Sequence, residues 1–467
     1  MNLASVLLEQ AEQRADAPAL VADGAAVSYA QLAERSAWCA GMLRSRGVSA
    51  GDRVGVMLPN GPEFVALLYG AWRLGAVVVP LNPLLAQPEV DARVLVASTT
   101  LLVRDGEEIE SDEPARDVIG CEPAAPAVIL FTSGTSGKPK GATLTHGSIR
   151  AASTNAAAAL QLGSRDVVLG AAPFSHVLGL ATGIVSTLSS GGAIAIEQRF
   201  DARQTLDLMT AVGVTVLLGV PTMCIALSEV ARLAERLPAL RIAHVGGAAV
   251  PAEVGATFEE IFGAEIYEGY GMTEMSGIAT TYSAGQVRKV GSVGFPLGGT
   301  EIRIDEADAR GVGEVRFRGR SVISGYWNDP QATAEAISPD GWLATGDMGY
   351  VDDEGYLFLV DRKKEMINRA GYKVYPREVE EVLYSHPDVL EAAVIGVPDD
   401  RLGEEVVAIV VQREGSSSTP ESLRDWTKER VAAYKYPRRV VVAAELPKGP
   451  TGKILKRAID VTTLLSP

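Results

Sequence analysis

The sequence predicts a multi-domain α/β protein: a large N-terminal part built on largely parallel sheets, then a small α+β domain. Three observations carry this. The chain has 467 residues, more than one hydrophobic core usually serves. Apolar residues make up 47% of it, enough to bury a large interior and too many for a disordered chain. Short β-branched runs alternate with Ala/Leu-rich helical stretches until about Gly311, where the texture changes.

In chain order, "RVGVMLP" (53–59) reads as a buried strand, "PEFVALLYGAWRLG" (62–75) as a helix and "AVVVPL" (76–81) as the next strand. "VVLGAAP", "AIAIE" and "VTVLLGVP" repeat the strand pattern. Strand–helix alternation of this kind argues for parallel sheets covered by helices. After Gly311, "GEVRFRG" and "GYLFLV" read as short antiparallel strands between Gly and Asp turns. "DRKKEMINRAGYKVYP" (361–376) reads as charged and turn-like. Beyond it come helix "PREVEEVLYSH", strands "EAAVIGVP" and "EEVVAIVVQ", helix "PESLRDWTKERVAA" and strand "RRVVVAAEL", a compact α+β unit. The boundary is placed at Asp361, giving domains 1–361 and 362–467.

Charge and cysteine content narrow the function classes. The net charge is −15, so the basic footprint that nucleic acid requires is missing. An anionic ligand must then be held by local cations and amides against the global field. Cys39, Cys121 and Cys224 are scattered, odd in number and lack metal-ligand spacing; they read as reduced thiols of a cytoplasmic protein. The start, "MNLASVLLEQ", has no cationic n-region, which argues against a signal peptide. The charge-free runs Val167–Ile196 and Leu208–Ser228 are broken by Gly and Pro and read as buried core, with no membrane span expected.

Four segments carry chemistry. "TSGTSGKPKG" (132–141) packs glycines, hydroxyls and lysines behind the strand-like "AVILF". Gly-rich turns expose consecutive N–H groups as an anion nest, so it reads as a phosphate grip; the plain alternative is a solvated hairpin turn. It is neither a Walker A loop nor a G-x-G-x-x-G turn. "GYGMTE" (269–274) sets an aromatic among glycines, able to lie flat on a base, and ends in a carboxylate able to hold Mg²⁺. "TGD" (345–347) offers a carboxylate suited to vicinal ribose hydroxyls, and "PKGPTGKILKR" (447–457) places Lys453 in a Gly/Pro-rich loop. Taken singly, these three read as a core tyrosine, a turn and a solvated basic tail.

As a set, in this order and spacing, they resemble the AMP-forming adenylating superfamily of acyl-CoA synthetases, adenylation domains and beetle luciferases, closest to the acyl-CoA synthetases. The resemblance runs from "VSYAQLAERS" through "GDRVGVMLPN", "GAVVVPLNP", the glycine loop, "APFSHVLG", "GVPTM", "GYGMTE", "GEVRFRG", "WLATGD", "DRKKEMI", "GYKVYPREVEE" and "YKYPRRV" to "PTGKILK". There are two departures. Ser136 stands where the family usually has Thr, and the stretch 84–127 is short, which is expected to trim a helix or a sheet edge. The resemblance implies two parallel-rich sheets and a small β-barrel-like part in the large domain, with a mobile C-terminal lid.

It also implies the reaction and its residues. A carboxylate attacks the α-phosphorus of ATP to give acyl-AMP and pyrophosphate, and CoA then displaces AMP. A carrier protein in place of CoA is the alternative acceptor, and a stand-alone adenylation enzyme a more distant one. Thr132, Ser133, Gly134, Thr135, Ser136, Gly137 and Lys138 would wrap the phosphates; Glu274 with Thr135 would hold Mg²⁺. Gly247, Ala248, Ala249, Tyr270, Gly271, Met272 and Thr273 would frame the adenine, and Asp347 and Arg362 the ribose. Lys453 would stabilise charge at the α-phosphate. His176 would mark the carboxylate end of the acyl pocket, with a satisfied core histidine as its plain alternative. Phe174, Val177, Gly179, Val220, Met223, Gly246, Gly247, Gly271, Met272 and Ser276 would line that pocket. This set holds no acidic group for an ammonium and no Arg for a second carboxylate, which favours an aromatic, fatty or alicyclic monocarboxylic acid. Lys364 would be the hinge, and Gly371, Tyr372 and Lys373 the thiol side. The protein is expected to act as a monomer or homodimer.

Overall fold

The computed structural model describes residues 2–107, 113–132, 139–362, 365–370, 372–399, 401–449 and 452–460, with only the backbone described for Arg362 and Lys373. Two parallel-rich sheets form the large part. The five-stranded sheet runs, in spatial order, Leu101–Arg104, Arg53–Met57, Val77–Pro80, Pro126–Thr132 and Lys140–Thr145, the last antiparallel to its neighbour. The seven-stranded sheet runs Glu265–Glu268, Ile242–Val245, Val216–Gly219, Val167–Gly170, Ala193–Ile196, Pro18–Ala22 and Ala25–Ser28, parallel up to its final hairpin.

Val77–Pro80, Ala193–Ile196 and Val216–Gly219 are buried at every position. Helices cover both faces of such sheets, so the strands carry continuous apolar runs with no polar alternation. The helix Pro62–Arg73 is buried from Phe64 to Arg73, and one core cluster joins it to Val54, Val56 and Val128 of the first sheet and Leu20 and Ile194 of the second. Of the two charge-free runs, the first resolves as strand, helix and strand and the second as helix, strand and helix, and no helix among the described residues is long and apolar enough to cross a membrane.

Asn60 staples the layers together. Its side-chain amide donates to the carbonyls of Gly170 (3.1 Å) and Ala172 (3.0 Å), and its oxygen accepts from the Phe174 N–H (2.8 Å). It is 6% exposed and fixes the path of "APFSH" by satisfying buried backbone groups.

A three-stranded sheet, Tyr270–Met272, Gly277–Thr281 and Phe295–Pro296, faces a four-stranded one, Glu301–Asp305, Gly313–Arg318, Leu343–Val351 and Leu357–Arg362. They share a core of Met275, Ala279, Val293, Val315, Phe317, Leu343 and Leu357 and correspond to the expected barrel-like part. The C-terminal sheet orders Tyr372–Val374, Ile367–Arg369, Gly403–Gln412 and Val389–Asp399, with Arg439–Val442 added parallel to Gly403–Gln412. Helices Pro376–Tyr384 and Pro420–Lys428 complete that unit, bringing Leu383 and Leu423 into its core.

One local expectation is corrected. The stretch 361–376 is not merely turn-like: Ile367–Arg369 and Tyr372–Val374 pair as a hairpin, with Ile367 opposite Val374. Both are buried, at 1% and 0% exposure, but strands this short leave no readable alternation. The shortened stretch 84–127 keeps both a helix, Gln87–Ala97, and an edge strand, Leu101–Arg104.

Candidate active site

Three neighbouring parallel strands, Val216–Gly219, Ile242–Val245 and Glu265–Glu268, end on the same side and pass into "VPTM", "GGAAV" and "GYGMTE". Ligands of open α/β sheets bind at that carboxyl edge. A cavity of about 230 Å³ opens there. Its wall includes Val220, Thr222, Gly247, Ala248, Ala249, Tyr270, Gly271 and Asp347, and also Lys453 from the C-terminal loop.

Tyr270 donates its hydroxyl hydrogen bond to Asp347 Oδ2. Asp347 is 7% exposed. It follows Gly346, whose φ of 71° is left-handed, and its N–H donates to Thr345 Oγ1 (3.0 Å), which donates in turn to the Val315 carbonyl (2.7 Å). "TGD" is therefore no turn: it lies within the strand Leu343–Val351, where the pairing register with Gly313–Arg318 shifts, and this irregularity aims a carboxylate at the "GYG" segment. Gly271 must be glycine for lack of space: a Cβ there would lie 2.2 Å from the Gly277 carbonyl oxygen and 2.9 Å from Ile278 Cα. Backbone atoms cannot swing aside as a side chain can. Gly271→Ala is expected to lower the unfolding free energy by about 2 kcal/mol, read from the urea midpoint; an unshifted midpoint would mean that the strand pair gives way freely.

Lys453 reaches the cavity on a loop held at several points. The Thr222 hydroxyl donates to the Gly452 carbonyl (2.9 Å), and Gly449 N–H donates to the Lys453 carbonyl (2.8 Å). Further out, Arg413 pairs with Glu229 at 2.9 Å, and Leu390 packs against the second core cluster. The ammonium of Lys453 bears on His176. That imidazole is exposed and outside the cavity lining, yet the surrounding protein, and then the Lys453 charge, push it down to about 4. It is neutral at physiological pH and accepts from the Leu178 N–H through Nδ1 (3.3 Å).

Glu274 sits on a short 3₁₀ turn, Thr273–Met275, and is 7% exposed. Tyr326 donates to its Oε1 at 2.8 Å, and the Lys140 ammonium stands 5.3 Å from the Tyr326 ring centre. Since Lys140 closes the glycine loop, Tyr326 links Glu274 to that loop. The loop itself joins the antiparallel strands Pro126–Thr132 and Lys140–Thr145, with Thr132 opposite Lys140. Ser133, Gly134, Thr135, Ser136, Gly137 and Lys138 lie outside the described residues, as do Lys364 and Gly371.

The acyl-pocket set is only partly gathered. Val220, Gly247 and Gly271 line the cavity. Phe174 and Val177 do not: they are 1% and 4% exposed and belong to the main core, where Phe174 packs on Phe64 at 5.6 Å. Gly179 is a packing glycine, since a Cβ would lie 2.3 Å from the Pro173 carbonyl oxygen. Ser276 is fully buried and donates to Ser148 Oγ (2.9 Å). Met223 lies under Gly219 and Gly246 against Gly269, while Met272 packs on the barrel-like core. An apolar side chain beside a motif reads the same in a sequence whether it faces a ligand or the core. Arg362 pairs with Asp347 across two strands. Tyr372 is 58% exposed and stacks on Tyr434 at 4.8 Å, outside the cavity lining. Thr222, Tyr326, Glu268 and Arg377 were not singled out in the sequence; only the contacts above and those described below mark them.

A family profile described as "AMP-binding enzyme" matches residues 7–122 and 104–327, and one described as "AMP-binding enzyme C-terminal domain" matches 378–453. A feruloyl-CoA synthase of Amycolatopsis sp is 36% identical, with 97% of this chain and 98% of the relative covered. The chain belongs to the AMP-binding enzyme family, among its acyl-CoA ligases. The long-chain-fatty-acid–CoA ligase FadD13 of Mycobacterium tuberculosis (strain CDC 1551 / Oshkosh) is also 36% identical, over 93% of this chain and 92% of that one. A benzoate CoA ligase from Burkholderia xenovorans LB400 superposes with a TM-score of 0.89 at 29% identity, covering 98% and 99% of the two chains. The enzyme is thus an acid–thiol ligase: ATP activates a carboxylic acid as acyl-AMP with release of pyrophosphate, and CoA takes the acyl group as a thioester.

Proposed function

We propose that the enzyme activates an apolar monocarboxylic acid, aromatic, fatty or alicyclic, in the cytoplasm, and that residues 362–467 turn against residues 1–361 between the two half-reactions. The observation that carries this is the entry of Lys453, from the C-terminal unit, into the same cavity as Tyr270 and Asp347. In that pose Lys453, Tyr270 and Asp347 line one cavity, while Tyr372 is exposed outside its lining.

The carboxylate is ionised at neutral pH and needs no general base. What it needs is to be brought in line with a repelling anion whose charge is neutralised as it develops. Lys453 supplies a cation at that point, and the residues Thr132–Lys138 supply the phosphate grip. Tyr270, Gly271, Met272 and Thr273 bound the base on one side, with Gly247, Ala248 and Ala249 on the other. Asp347 and Arg362 take the ribose. His176, neutral, hydrogen-bonds near the acyl carboxylate without adding charge. Gly371, Tyr372 and Lys373 serve the thiol in the other pose.

Mg²⁺ fits the residues present. No cluster of three or more His, Cys, Asp or Glu occurs among the described residues. Mg²⁺ is commonly held by one or two carboxylates plus substrate phosphates. Glu274, buried and oriented by Tyr326, supplies the carboxylate, with Thr135 from the loop. When bound, the ion draws negative charge off the phosphates.

The test is a pyrophosphate-release screen over carboxylic acids with ATP and Mg²⁺, repeated with CoA and with the pantetheine arm of a carrier protein, product masses being measured. Acyl-CoA from an apolar monocarboxylate is the expected product. Turnover confined to amino acids, or to the carrier protein, would overturn this assignment. In the same assay, Asp347→Ala is expected to weaken ATP about 10- to 100-fold, because the ribose loses a charged acceptor worth about 1.5–3 kcal/mol. Unchanged ATP affinity would reduce Asp347 to a strand residue that orients Tyr270.

A further inference from the structure

Arg377 opens the helix Pro376–Tyr384 of the C-terminal unit, yet most of its partners lie in the large part. Its Nη1 donates to the Leu359 carbonyl (2.9 Å), its backbone N–H donates to Asp361 Oδ2 (3.2 Å), and its Nη2 lies 3.5 Å from Glu268 Oε1. Glu381 of its own helix is the remaining carboxylate beside it, 3.7 Å from Nε. Arg377 and Glu268 both line the cavity.

Glu268 is the last residue of its strand, two positions before Tyr270. It is 8% exposed. Its Oε1, the oxygen that faces Arg377, also accepts from the Val250 N–H (3.1 Å). One carboxylate therefore ties the end of "GGAAV" to the start of "GYGMTE", the two walls between which the base is placed. Burial pushes this carboxyl up to about 7, and the Arg377 charge works against that rise. A buried carboxylate that loses its cation becomes costly to keep ionised.

We propose that Arg377 is a positioning residue for adenylate formation, holding Glu268 and with it both walls of the adenine site only while the C-terminal unit sits where Lys453 enters the cavity. This rests on the two-pose reading given above. Turning that unit to bring Tyr372 inward must carry Arg377, five positions along the same unit, away from Leu359 and Glu268. The nucleotide wall is then firm in the first half-reaction and slackened in the second, when AMP has to leave.

The experiment measures the half-reactions separately, with benzoate and octanoate as starting probes and the screened acid thereafter. Arg377→Gln is expected to raise the KM for ATP in pyrophosphate release about tenfold, and to leave thioester formation from supplied acyl-AMP and CoA equal or faster. Glu268→Gln, which keeps an acceptor for Val250 N–H but loses the charge, should reproduce that split. The double variant should be no worse than either single one, and Arg377→Lys should recover part of the loss. Proportional loss in both half-reactions, or an additive double variant, would overturn the proposal; so would a KM for ATP that does not move. Urea midpoints are taken alongside, since a purely structural role predicts a lowered midpoint with no split. Wild-type enzyme that released no pyrophosphate with any acid would overturn the reading of the site, and this proposal with it.

Discussion

Lys453→Ala should slow acyl-AMP formation about 10²- to 10³-fold while leaving ATP binding nearly intact. The magnitude is that of removing one preorganised donor from a site where charge develops in the transition state, about 3–4 kcal/mol. The asymmetry between rate and binding follows from where Lys453 sits. The residues proposed to meet the base and ribose, Gly247, Tyr270 and Asp347, line the cavity from the large part, whereas Lys453 arrives from the C-terminal loop through the Thr222–Gly452 hydrogen bond. Its loss thus removes an interaction with the reacting centre and few with the ground-state nucleotide. The neighbouring His176 cannot replace it: held down to about 4, it is neutral where the enzyme works. Isothermal titration with ATP and single-turnover pyrophosphate release decide the matter. Near-wild-type release would remove Lys453 from the reacting centre. A large loss of ATP affinity would make it a ground-state contact instead.

Lys364→Pro should separate the half-reactions in the opposite sense from Arg377→Gln. The chain leaves the four-stranded sheet at Arg362 and enters the C-terminal sheet at Ile367, so any rotation of one unit against the other is absorbed between them. The family resemblance puts the hinge at Lys364, which lies outside the described residues. Proline fixes φ near −65° and limits the rotation that a single linker residue can absorb. Adenylation, proposed to use the pose with Lys453 in the cavity, should survive within a few-fold. Thioester formation from supplied acyl-AMP and CoA should fall 100-fold or more, because a thiol and Lys453 cannot occupy the same approach to the carbonyl. Equal loss in both steps would indicate damage to the fold, and equal survival would move the hinge elsewhere.

Much of this was legible in the sequence because its causes are local. Buried strands write themselves as unbroken apolar runs, and "VVVP" and "VLLG" are strands for that reason. Phosphate and nucleotide contacts demand glycines, hydroxyls and single charges at short spacing, so "TSGTSGKPKG", "GYGMTE", "TGD" and "PTGK" stand out as chemistry before any fold is known. Their order along the chain supplied the family, which the comparisons then showed.

What the tertiary structure alone decided is which of these residues meet. Tyr270 and Asp347 are 77 positions apart, and only the packing of the two small sheets makes the tyrosine hydroxyl a donor to that carboxylate. Phe174, an expected pocket wall, became core because Asn60 pulls its segment down onto the sheets. Arg377 and Glu268 each look like one more charge on an element end, and they become a pair across the cavity only when the C-terminal unit docks. Periodicity and motif chemistry act over a few residues, whereas the direction a side chain faces at a junction is set by whatever distant surface packs against it. No local pattern carries that information.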